Sequence, residues 1–127
     1  MNQFQRLFTT EQANALLEAL RPLVAQMLAA REQILAVQPS LEPVLNKAAS
    51  NGGHRQSLAA VEGFERLLEV VEKIQSHGVV VKDVNLALLD FPSPREGRVV
   101  FLCWKYDEPL IAFWHEIDAG YSSRQPL

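Results

Sequence analysis

The chain has 127 residues, 48% of them hydrophobic and 21% charged, which fits one ordinary domain with a real core and excludes wholesale disorder. Its mass is 14.3 kDa, so a second domain of usual size has no room. Twelve Lys+Arg against fifteen Asp+Glu give a net charge of −3, too weak and too mixed for a nucleic-acid footprint.

The first helical signal runs from Thr9 to about Val37. Thr9 suits the N-cap, Gln12 completes a capping box, and Phe8 supplies the apolar residue before it. Leu16, Leu20, Leu23, Met27 and Ile34 recur at helical spacing, and Leu17, Val24, Leu28 and Leu35 widen the stripe. Pro22 falls inside this pattern, which predicts either a kink near Ala19 to Arg21 or two short helices joined there. The stripe continues across Pro22 and favours the kink. A short helix from Leu41 to Ala49, capped by Ser40, follows Gln38-Pro39. Ser50-Asn51-Gly52-Gly53-His54 reads as the most flexible stretch.

A further helix is expected from about Arg55 to Ser76, its inner face reading Val61, Phe64, Leu68 and Val71 with Leu67 and Ile74 beside them. Glu62–Arg66 and Glu69–Lys73 have the favourable i,i+4 spacing on its outer face. Gly63, near Ala59 and Ala60, predicts close approach of another helix, and His77-Gly78 closes the element. After Gly78 the period drops to two. Val79-Val80-Val81 opens a strand that resumes from Asn85 to Phe91, and Arg98 to Tyr106 and Leu110 to Ile117 are further strands. Pro92 to Gly97 and Asp107-Glu108-Pro109 supply the turns. These elements predict an α+β fold: a long helical hairpin and a short helix packed on a three-stranded antiparallel meander. Residues 9–78 form the helical half and 79–127 the sheet half, with Ala119 to Leu127 as an irregular arm.

Leu89-Asp90-Phe91-Pro92, Arg95-Glu96-Gly97-Arg98, Leu102-Cys103-Trp104, Glu108, Trp114-His115, Gly120-Tyr121 and Arg124-Gln125-Pro126 resemble a family of small proteins. It is the domain of unknown function number 2203. The opening Phe8-Thr9-Thr10-Glu11-Gln12-Ala13-Asn14 is similar to that family's start, so the resemblance covers nearly the whole chain. Asp107 departs from the glycine expected before Glu108, although aspartate also suits a turn. The resemblance implies a prokaryotic protein and brings no activity with it.

The lone Cys103 excludes an internal disulfide and a tetrathiolate zinc site, and favours a reducing compartment. The first residues lack the apolar run of a signal peptide, and no run of about eighteen apolar residues can span a membrane. A cytoplasmic location is the expectation. If the last hairpin loop holds three residues, Phe101 faces His115 and Cys103 shares a face with His115. Such a pair can bind zinc or act as thiolate and base. A two-residue loop reverses that facing, and the plainer reading makes Cys103 a buried small hydrophobe.

Arg95, Arg98 and Arg124 can hold a carboxylate or phosphate, or can pair with Asp90, Glu96, Glu116 or Asp118 and pin the arm. Trp104 and Trp114 can stack a planar ligand, but a core role suits them better. No spacing calls for a cofactor. Two functions follow. The first is a non-enzymatic protein that self-associates or binds a partner, as a homodimer through the long helices, whose apolar stripes exceed what one small sheet can cover. The second is a small-ligand protein or enzyme whose pocket gathers Asp90, Arg95, Arg98, Trp104, His115, Glu116 and Arg124 for acid–base work on an anionic substrate.

Overall fold

The computed structural model describes residues 4–47 and 58–127. Helix α1 spans Thr10–Val37 and helix α2 spans Leu58–Gln75. Strands β1 (Val80–Asp83), β2 (Leu88–Arg95), β3 (Arg98–Lys105), β4 (Phe113–Glu116) and β5 (Gln125–Pro126) follow. All five form one antiparallel sheet in chain order. The α+β expectation holds, with five strands where the sequence suggested three.

The capping box forms as expected: the Thr9 hydroxyl accepts from the Gln12 amide at 3.1 Å, and the Thr9 amide donates to the Gln12 side chain at 2.9 Å. Helix α1 runs unbroken through Pro22, which excludes the two-helix alternative. Pro22 and Glu18 are exposed, where water can bond the Glu18 carbonyl that the missing proline N–H leaves free. The short helix predicted from Leu41 starts earlier and tighter, as a 310 helix over Pro39–Val44 whose N-terminus has no side-chain cap from Ser40, and residues 45–47 continue it as α-helix. The Ser50 to His54 stretch and the start expected for α2 at Arg55 lie outside the described residues.

The buried face of α2 is rotated from the one expected. Ala60, Gly63, Phe64, Leu67, Val70, Val71 and Ile74 are buried, while Val61 and Leu68 are half-exposed. The cause is contact with α1 at small residues. A Cβ on Gly63 would lie 2.7 Å from Ile34 Cγ1 and 3.6 Å from the Ala30 carbonyl oxygen, so only glycine permits this approach. Gly78, at φ +89°, ends the helix region as its position predicts.

Two turns differ from those expected, and the first splits one predicted strand into β1 and β2. After β1, Asp83 accepts from the Leu86 amide at 2.9 Å and Ala87 takes φ +54°, so the chain reverses where alanine gives no turn signal. The β2–β3 hairpin turns on Glu96 and Gly97 alone, both at positive φ, the geometry of a tight two-residue hairpin loop. The expected Pro92 to Gly97 loop is therefore mostly strand. Pro92 and Pro94 fit because β1 pairs only as far as Asp90, so neither proline removes a ladder donor. The Pro92 carbonyl instead accepts from the Phe8 amide at 2.7 Å.

Alternation divides the sheet. Leu89, Phe91, Val100, Leu102, Trp104 and Trp114 join the core beneath the helices with Phe8, Leu20, Met27, Phe64 and Ile74. Asp90, Phe101, Cys103, Phe113 and His115 face the other way.

Candidate functional site

The far face of the sheet is as closed as the near one. Asp90 is 0% exposed, and Cys103 and His115 are 1% exposed. Two segments cover them. The Phe4 ring meets Phe101 edge-on at 5.4 Å, bringing the N-terminal segment over β3. At the other end the arm turns through a 310 helix, Tyr121–Ser123, and joins the sheet as β5. The Leu127 amide then donates to the Ala112 carbonyl at 2.9 Å. The arm is thus a strand at its end, where irregular structure was expected.

Register brings three polar groups together. Asp90 lies opposite Cys103, and Phe101 lies opposite His115, the register a three-residue loop would give, although the strand expected from Leu110 begins at Phe113 and residues 106–112 join it to β3. Asp90, Cys103 and His115 each offer an atom within 4.8 Å of the others. His115 Nδ1 is 2.7 Å from the Glu116 carbonyl oxygen, and Nε2 is 3.1 Å from Asp90 Oδ1. A carbonyl only accepts, so Nδ1 carries a hydrogen, and Nε2 and Oδ1 share one proton between them. Asp90 Oδ2 is buried without a hydrogen-bond partner among the described residues. Burial holds the Asp90 carboxyl above its ordinary range, against the pull of His115, Lys82 and the Cys103 thiol. Burial, and then the Asp90 charge, push the Cys103 thiol up to about 11, with Arg124 acting the other way. At neutral pH this is a protonated, enclosed thiol rather than a nucleophile.

The arm is latched by Arg124. Its guanidinium lies 4.0 Å over the Phe113 ring and 4.4 Å over the Tyr121 ring, and Nη1 is 3.9 Å from Cys103 Sγ. Both terminal nitrogens bond the Glu108 carboxylate, a two-pronged contact that fixes orientation as well as charge. Glu108 also accepts from the Lys105 amide at 2.8 Å. Burial works to raise the Glu108 carboxyl, but Arg124 and the Lys105 amide outweigh it, and the net shift is downward. Asp90, Glu96, Glu116 and Asp118 were the acids expected to pair with the arginines and pin the arm. Glu108, sixteen residues away in a turn, carried no pairing signal in the sequence.

The seven residues of the predicted pocket do not meet. Asp90, His115 and Arg124 lie on the far face. Arg95, Arg98, Trp104 and Glu116 belong to the helix-side face by alternation. Arg98 Nε donates to Glu116 at 2.9 Å and its guanidinium also contacts Glu96. That bond to Arg98 holds the Glu116 carboxyl below its usual range. Arg95 and Arg98 stand 4.4 and 5.8 Å from the Trp114 ring centre. Trp104 is fully buried and donates its indole N–H to the Glu108 carbonyl at 2.9 Å. A single anion cleft built from all seven would need them on one face, and the sheet separates them.

The family model for an uncharacterized conserved protein, DUF2203, matches residues 6–127. The chain belongs to that family. No curated protein and no solved structure matches it.

Proposed function

We propose that this member of an uncharacterised family is a non-catalytic module that works by self-association through its long helices. The observation carrying this reading is apolar surface left half-covered along α1 and α2. Leu16, Leu23, Leu28 and Leu35 of α1, and Val61 and Leu68 of α2, are only half-buried. By contrast, the groups with reactive chemistry are enclosed or paired with one another.

A groove of about 260 Å³ runs between the helices, floored by Ala29, Ala30 and Val70 and edged by Arg66, Glu69 and Lys73. Its edges carry both signs of charge, so a second copy turned by a twofold axis meets complementary groups. Sedimentation or light scattering at micromolar concentration should give twice 14.3 kDa. Ala29→Glu, at an exposed helical position in that groove, should return the mass to one chain without loss of helicity. A wild-type mass of 14.3 kDa would overturn the proposal.

A further inference from the structure

We infer that Asp90, Cys103 and His115 form a site for one divalent transition-metal ion of the zinc class. The ligands are an Asp90 carboxylate oxygen, Cys103 Sγ and His115 Nε2. The inference is independent of self-association, because the cluster sits on the sheet face away from the helices.

The first support is placement on rigid elements. The three residues come from β2, β3 and β4, at adjacent positions of one sheet face. Their donor atoms already lie within 4.8 Å of one another. Ligands of a tetrahedral zinc ion stand about 2.0–2.3 Å from the metal, hence roughly 3.3–3.8 Å apart. Small side-chain rotations, not backbone movement, separate the two arrangements.

The second support is the orphaned oxygen. Asp90 Oδ2 is wholly buried and has no hydrogen-bond partner among the described residues. Such an atom has lost its hydration with nothing in return, and a bound cation would satisfy it. The third is the orientation of His115. Glu116's carbonyl holds Nδ1–H at 2.7 Å, which leaves Nε2 to ligate, the arrangement that usually stands behind a metal-bound histidine.

Charge selects the ion. A carboxylate, a thiolate and one dication sum to zero, which suits a site this enclosed. Arg124 adds a donor 3.9 Å from the sulfur, and its own charge is balanced by Glu108. Sulfur and imidazole nitrogen disfavour magnesium and calcium, whose ligands are oxygen. Three protein ligands leave one position of a tetrahedron open.

The test uses the whole chain, stripped of metal by chelator and titrated with cobalt(II). A thiolate-to-cobalt charge-transfer band should grow to one equivalent per chain and vanish when zinc is added. Cys103→Ser should abolish the band, and His115→Gln and Asp90→Asn should weaken binding by about tenfold or more. Circular dichroism establishes that each variant is folded. Because the wild type is read first, a variant that unfolds does not blunt the test. No band in wild-type protein at saturating cobalt, or a band unchanged in folded Cys103→Ser, would overturn the inference.

Discussion

The two faces of the sheet are equally buried for opposite reasons. Beneath the helices, Leu89, Phe91, Leu102 and Trp104 are at most 2% exposed, and removing apolar area from water is what holds them there. On the far face Asp90, Cys103 and His115 reach the same exposure although desolvation disfavours the Asp90 carboxylate. Their enclosure depends on Phe4 and on the arm latched by Arg124 and Glu108. One face closes itself, and the other is closed by a tail. Burial alone therefore does not separate a core from a covered polar site; the cause of burial does.

The contrast is broken hardest from the helix side. Trp104 of β3 is fully buried in the core beneath the helices, packs edge-on against Tyr106 and donates to Glu108. Trp104→Ala should cost about 3–5 kcal/mol in denaturant unfolding, as large aromatic deletions do. A loss below about 1 kcal/mol would show that this face is loosely packed.

The far face should yield less. Arg124→Ala strips Glu108 of its partner while both side chains are mostly covered, at 13% and 19% exposed. A loss of about 1–3 kcal/mol at neutral pH is expected. Its pH dependence sharpens the assignment. Glu108 titrates below its ordinary 4.5 in the folded chain. The stability it contributes is therefore full above 4.5 and is lost as pH falls through the lowered folded value. Wild type should show that acid loss, and Arg124→Ala should show less of it. Parallel profiles for the two proteins would contradict the latch.

Much of the helix-side face was legible in the sequence because local signals act there. The Thr9–Gln12 capping box, the stripe of α1 and the close approach at Gly63 each follow from residues near in sequence or from a fixed period. The far face was partly legible: the arm does fold back, but whether Cys103 and His115 share a face hung on a turn length that the residues left open, and residues 106–112 join the two strands. What failed depends on contacts that short-range pattern does not encode. The β1–β2 turn uses Ala87 at positive φ without glycine or asparagine. Strand β5 is two residues long and ends in proline, below the length at which alternation is detectable. The seven-residue pocket failed through neglect of facing, since neighbours such as His115 and Glu116 must point to opposite sides.

The most direct test of the tail-closed face is the rate at which Cys103 reacts with a disulfide reagent near pH 8. In the metal-free wild type the thiol is 1% exposed and held at about 11, so labelling should be orders of magnitude slower than for a free thiol. Removing Gly120 to Leu127 should bring the rate close to that of a free thiol while the helices and near face remain folded. A wild-type thiol that reacts as fast as a free one, or a rate indifferent to loss of the arm, would contradict the account.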